Sequence, residues 1–227
     1  MTEDPGKAKP KKLVVIGGPG NGSLVWSTML DINRAGTGPR WELVGFLNDF
    51  ESSVLGFPVL GPVVPETVSK LLREENLFLL FALFSPKNRQ SFGKRLEELN
   101  IPHDRLATLI HPSAVVSELA TVGSGVCIQP LAAVGPSARL GDHVTLFSQS
   151  YVAHDAELAD YSYVANNASV GAYVKLEVGA YIGTNSAIRE HVTVGRWSFV
   201  GMGSVVVSDV EEFTCVVGNP ARKRSGE

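Results

Sequence analysis

From Ile110 onward an isoleucine, leucine or valine stands at every sixth position. The series runs Ile110, Val116, Val122, Ile128, Val134, Leu140, Leu146, Val152, Leu158, Val164, Val170, Leu176, Ile182, Ile188, Val194, Val200 and Val206. A period of six fits neither a strand, whose side chains alternate, nor a helix, which repeats every 3.6 residues. Four residues after each aliphatic sits a small or β-branched residue, such as Ala156, Ser162, Ala168 and Val174. Seventeen matches in one register exclude chance. Hexapeptide periodicity is the signature of a parallel β-helix, in which each repeat forms one face and stacked coils bury a continuous core. With three faces to a coil, residues 18 apart lie one strand spacing above each other.

The register also says which side chains point out. His154 lies two places after Val152 and therefore faces outward, beside Asp155. Ala172 falls directly above it, and His191 close to the same face about two layers up. His143 and His111 belong to other faces. Phe147, Tyr151, Tyr161 and Tyr163 also point outward, where a monomer would leave them wet. That predicts a self-associating chain, with subunits packed along the β-helix.

Before the repeats the pattern is different. "LVVIGG" reads as a buried strand, "SLVWSTMLDINR" as a helix and "WELVGFL" as a second strand. "PETVSKLLREEN" opens a helix on Pro65, "LFLLFALF" is a third strand, and "PKNRQSFGKRLEELN" a helix. Strands alternating with helices predict a small parallel α/β sheet. The division is a tail at 1–12, an α/β unit at 13–109, a β-helix at 110–211 and a C-terminal loop and tail at 212–227. The tail, "MTEDPGKAKPKK", is polar and Lys-rich and reads as a disordered lead-in.

Composition narrows the function classes. With 44% hydrophobic and 19% charged residues the chain is of the folded kind. A net charge of −3 gives no electrostatic footprint for nucleic acid or a membrane surface. No apolar run is long enough to span a bilayer, and no signal-peptide core follows the basic start. Cys127 and Cys215, far apart and without metal-type spacing, fit packed thiols in a reducing cytoplasm.

A histidine on an outer face is by default an ordinary surface histidine. A carboxylate on Nδ1, however, fixes the tautomer and makes Nε2 a better base. His154–Asp155 is that pair, placed in mid-helix where subunits would pack.

Several motifs occur in one order: "GGPGNG", "GFLND", "HPSA", "AHDA" and "VVGNPAR". From Leu13 to Arg224 they make the chain resemble the hexapeptide-repeat acyltransferases. The similar branch contains the bacterial UDP-4-amino-sugar N-acetyltransferases and sialic-acid O-acetyltransferases. The resemblance implies a Rossmann-like α/β domain followed by an all-β, left-handed parallel β-helix. It also implies a homotrimer, with acetyl-CoA bound between subunits and a nucleotide-linked sugar as acceptor.

By the same motifs, His154 matches the catalytic base and Asp155 its acidic support, and the Ala172 N–H an oxyanion donor. Thr184, Met202 and Gly218 match coenzyme-contacting positions, with Arg222, Lys223 and Arg224 able to meet phosphates. Pro19, Gly20 and Asn21 match the loop that receives the nucleotide sugar. Asn48 and Asp49 match a strand-end acidic pair, and Phe84 a substrate-pocket backbone position. Tyr163 stands where related enzymes carry a second, coenzyme-touching histidine, and Phe147 where an asparagine lies near the sugar. These two departures leave the acceptor open. O-acetylation of a sialic-acid-like sugar and a non-catalytic sugar-nucleotide-binding protein are the alternatives. A metal site of the γ-carbonic-anhydrase kind is disfavoured, because His111, His143, His154 and His191 lack a close pair.

Overall fold

The computed structural model describes residues 9–36, 38–82 and 89–224. Phe84 and most of the N-terminal tail lie outside them. The N-terminal unit is built on β1 (Lys11–Gly17), α1 (Pro19–Ala35) and β2 (Trp41–Leu47). After a hairpin of β3 (Ser53–Val54) and β4 (Phe57–Gly61) come α2 (Pro65–Leu71), β5 (Leu77–Ala82) and α3 (Arg89–Glu98). Sheet order is β3-β4-β2-β1-β5, parallel except for the β3–β4 pair. Leu13, Val14, Val15 and Ile16 on β1 are all fully buried, as expected of a parallel strand covered on both faces. One side of the sheet packs on α1 and on Leu109 and Cys127, the other with Val68, Leu96 and Leu99.

Three details differ from the sequence reading. β1 begins at Lys11, so the last two tail residues are strand. α1 begins at Pro19 rather than Ser23, because proline's fixed φ suits the first helical position. Most of "GGPGNG" is thus the first turn of a helix. Gly22 faces Phe46, where a Cβ would come within 2.7 Å of the ring. The β3–β4 hairpin was not anticipated. Its turn has Leu55 and Gly56 at φ 52° and 82°, the left-handed pair that a tight hairpin needs.

Residues 109–217 form a parallel β-solenoid of two- and three-residue strands on three faces. The first face carries Val115–Val116, Ala133–Val134, Tyr151–Val152, Ser169–Val170, Ala187–Ile188 and Val205–Val206. The second carries Thr121–Val122, Arg139–Leu140, Glu157–Leu158, Lys175–Leu176 and Thr193–Val194. The third runs from Leu109–Ile110 up to Cys215–Val217 and is closed by the antiparallel strand Arg222–Lys223. Partners are 18 residues apart, as in Val152 with Val170. Val152, Leu158, Val164 and Val170 are at most 2% exposed. Each such side chain contributes roughly 2 kcal/mol. The register fails only at the open first coil, where Ile110 is 37% exposed because no coil lies beneath it.

Every corner from residue 125 to 203 has its second turn residue at positive φ, including Asp155 (57°), Tyr173 (59°) and His191 (63°). Left-handed backbone is unfavourable for most L-residues. It persists here because the N–H of that residue bonds a carbonyl of the coil below: Asp155 to Pro136 at 3.1 Å, His191 to Ala172 at 3.0 Å.

The N-terminal unit packs on the third face and the corners that flank it. Thr28 Oγ1 donates to Gln129 at 3.1 Å. His111 Nε2 lies 3.2 Å from Asp31, while its Nδ1 accepts the Ser113 N–H at 3.0 Å. His143 stacks on Tyr161, with Phe81 edge-on to His143 and Trp197 beyond Tyr161 where Gly179 leaves space. Tyr161 joins the core of the N-terminal unit and Phe147 is 8% exposed against Tyr163. Of the four outward aromatics, only Tyr151 is therefore left exposed. The others are covered by contacts within the chain.

His143 in that stack is sensitive to acid. Burial holds its pKa down at about 4; Asp142 opposes the shift and His103, bonded to Asp142, adds to it. Its Nδ1 is buried without a hydrogen-bond partner among the described residues, which fits a neutral ring. An unfolded histidine titrates near about 6.5. Between the two values the unfolded state binds more protons, so stability is expected to fall as pH drops from about 6.5 to about 4. His143→Phe should flatten this part of the pH–stability curve by up to about 1 kcal/mol per pH unit. Urea titrations of both proteins across the range measure the difference, and parallel curves would contradict it.

Candidate active site

The corner between the first and second faces runs Val152, Ala153, His154, Asp155, Ala156. Val152 and Ala156 are fully buried and fix the backbone, while His154 and Asp155 project outward at 50% and 40% side-chain exposure. His154 Nδ1 lies 2.8 Å from Asp155 Oδ2. With the carboxylate accepting from Nδ1–H, Nε2 keeps its lone pair and faces away from Asp155. One coil higher on the same corner is Ala172, whose N–H takes part in no hydrogen bond among the described residues. A base and a free backbone donor thus stand on adjacent coils of one edge.

Thr184 and Met202 lie on the opposite edge of the first face, at the turns after Ile182 and Val200. Gly218 reaches the top of that face, where its carbonyl accepts the Val205 N–H at 2.9 Å and its N–H donates to Ser204 at 3.2 Å. The first face is thereby bordered by His154 and Ala172 on one side and Thr184, Met202 and Gly218 on the other. Lys223 pairs with Glu211 at 3.3 Å and Arg222 donates to the Ala221 carbonyl at 2.9 Å. The Lys223 pair is exposed and weak, so the ammonium is free to exchange partners.

Three further candidates form a separate group at the third face. Asn21, Phe147 and Tyr163 line one cavity with Leu24, Phe81 and Thr145. Tyr163 stacks on Tyr181, and burial pushes its phenol pKa far up. It is therefore on the opposite side of the core from His154, not beside it. Cys127, in the same cavity, has its thiol pushed up to about 11 by burial, which makes it a packed group and not a nucleophile.

Asn48 and Asp49 make contacts within the chain. Asn48 donates to the Gly17 carbonyl at 2.9 Å and accepts the N–H groups of Phe50 and Glu51. Asp49 accepts the Val63 N–H at 2.9 Å and pairs with Arg95 at 2.7 Å. Both Asp49 oxygens are thus engaged inside the chain. Asp49→Ala is expected to cost about 1–3 kcal/mol by leaving the Val63 N–H without its acceptor, while Arg95 keeps its 2.8 Å bond to the Val63 carbonyl. A clear drop in Tm checks this, and an unchanged Tm with weakened sugar-nucleotide binding would assign Asp49 to the ligand instead.

Sequence reasoning passed over Tyr173. It stands 18 residues before His191 and 18 after Asp155, so the period held the signal. Among the described residues no group of three His, Cys, Asp or Glu is placed to hold a metal ion. No helix among them is long and apolar enough to cross a membrane.

No family model matches the chain, and no curated protein matches it significantly. Solved structures do. The acetyltransferase domain of PglB from Neisseria gonorrhoeae, in complex with acetyl coenzyme A, is 28% identical with a TM-score of 0.80, over 95% of this chain and 100% of that one. PerB from Caulobacter crescentus, in complex with CoA and GDP-perosamine, is 28% identical with a TM-score of 0.68, over 94% and 97%. WeeI from Acinetobacter baumannii is 25% identical with a TM-score of 0.75, over 93% and 99%. Along nearly its whole length the chain resembles the hexapeptide-repeat β-helix acetyltransferases.

Proposed function

We propose that this protein is an acetyl-CoA-dependent N-acetyltransferase acting on the amino group of a nucleotide-linked amino sugar, with His154 as general base. The observation that carries the reading is the 2.8 Å His154–Asp155 pair one coil below the unengaged Ala172 N–H. Acetyl-CoA, when bound, would supply an activated acyl thioester. The acceptor amine must lose a proton as its nitrogen bonds the acyl carbon, and Nε2 of His154 takes that proton. The Ala172 N–H stabilises the negative charge that develops on the carbonyl oxygen. As the carbon–sulfur bond breaks, the imidazolium returns its proton to the departing thiolate. Asp155 steadies the positive charge on the ring throughout.

We read the solenoid as left-handed and the N-terminal unit, 13–109, as a Rossmann-like domain that holds the nucleotide. The solenoid spans 110–211, and 212–227 is the coenzyme loop and tail. Pro19, Gly20 and Asn21, at the N-terminus of α1, would meet the diphosphate. Two unpaired cysteines fit a cytoplasmic enzyme.

The same reading makes the protein a homotrimer with interfacial sites. All contacts described between the N-terminal unit and the solenoid fall on the third face and its flanking corners. His154 is on the corner opposite. A sugar nucleotide held by one copy's N-terminal unit therefore reaches His154 of a second copy, not its own. The first face, beside His154, offers the contact: its outward column Val115, Ala133, Tyr151, Ser169, Ala187 and Val205 carries no charge. The second face shows Arg139, Glu157 and Lys175 instead.

Paired acceptors test the reaction class. A nucleotide sugar bearing an amine should be acetylated to a base-stable amide, while its counterpart with a hydroxyl at that carbon should react far more slowly. A base-labile ester as the preferred product would assign the protein to O-acetylation. Binding of the sugar nucleotide without any turnover would make it a binding protein.

A further inference from the structure

We infer that Tyr173 is a positioning residue, whose ring fixes the orientation of the His154 imidazole; this rests on the reading of His154 as the base. Asp155 alone leaves the imidazole a hinge about the Nδ1 contact, since the ring is half exposed. Tyr173, one coil up and at the left-handed turn position directly above Asp155, closes that freedom. Its ring meets the His154 ring edge-on, with centroids 5.4 Å apart and planes at 89°. Edge-to-face contact is a favoured geometry for aromatic pairs. Tyr173 is itself held from above by His191, stacked at 4.8 Å with an interplanar angle of 2°.

The three rings form a column along the corner, repeated at the coil spacing. Asp155 restrains the ring through Nδ1 and Tyr173 through its edge, so Nε2 keeps one direction on the first-face edge. The Asp155 contact does not use Nε2. The backbone reinforces the placement, with the Tyr173 N–H directed to the His154 carbonyl at 3.4 Å. The part of Tyr173 that matters is its ring, not its hydroxyl.

That distinction sets the experiment. Tyr173→Asn removes the ring and is tolerated by the fold, because asparagine accepts the left-handed conformation and already fills this turn position at Asn167 and Asn185. Its kcat should fall by roughly 3- to 10-fold, the worth of one aromatic pair, with KM for both substrates unchanged. Tyr173→Phe should restore the wild-type kcat. A wild-type kcat in Tyr173→Asn, beside an inactive His154→Ala, would overturn the positioning role and leave the base assignment standing. A loss of kcat in Tyr173→Phe equal to that in Tyr173→Asn would also overturn it, by assigning the effect to the hydroxyl. Full activity of His154→Ala would remove the base itself, and the role of Tyr173 with it.

Discussion

His154→Ala is expected to lower kcat by about 10²–10⁴-fold, the contribution of a positioned general base, while acetyl-CoA binding persists. The amine nucleophile must shed a proton in the step that forms the amide, and no other imidazole shares the Ala172 edge within one coil of His154. Coenzyme affinity should survive because its proposed contacts, Thr184, Met202 and Gly218, lie across the first face and on higher coils. Asp155→Asn should cost less, since it leaves the imidazole in place but weakens its orientation and no longer offsets the charge on the ring. Steady-state kinetics on the true acceptor, with equilibrium dialysis of acetyl-CoA, separate the two effects. A wild-type kcat in His154→Ala would reduce the pair to surface decoration.

Two inactive variants are expected to restore each other when assembled together. The first is His154→Ala, which keeps an intact N-terminal unit. The second is Gly20→Asp, which keeps His154. A Cβ at Gly20 meets nothing within 4 Å, and α1 has no acidic residue in its first turn. Aspartate there suits the helix dipole, so the variant should fold, while its charge repels the substrate diphosphate. If each site takes the nucleotide-binding unit from one copy and His154 from the next, a random mixture has intact sites at about a quarter of its interfaces. Co-refolded mixtures should therefore recover about a quarter of wild-type activity from two proteins that each have almost none. Mixing that recovers nothing would place both halves of the site on one copy, against the separation across the solenoid core.

The solenoid was legible because its core repeats in the sequence. The period of Val152, Leu158, Val164 and Val170 turns His154 outward and, with three faces to a coil, gives the 18-residue stacking. The His154–Asp155 bond was legible for the same reason, as two neighbours on one turn. What covers an outward residue was not. Phe147, Tyr161 and Tyr163 point away from the core as the period requires, yet the N-terminal unit and one another's rings cover them. A repeat assigns a side chain to a face and says nothing of what packs there.

The α/β unit was read less completely, since its signals are short. The β3–β4 hairpin hid behind Pro58, which weakens a strand signal, and behind Leu55 at a φ usually left to glycine. In the sequence Asp49 shows only as one of a strand-end pair with Asn48. Its partners, the Val63 N–H and Arg95, come from separate elements that only the fold brings together.

The most direct test of the central claim is a coenzyme-release assay over UDP-, GDP- and dTDP-linked amino sugars, with mass spectrometry of each product. With one of these sugars, CoA should be released in step with the gain of one acetyl group on the sugar nitrogen. His154→Ala should lower both signals by about 10²–10⁴-fold while still binding acetyl-CoA. Release of CoA at the wild-type rate by His154→Ala, or no acetylated sugar from any acceptor despite tight binding of both ligands, would contradict it.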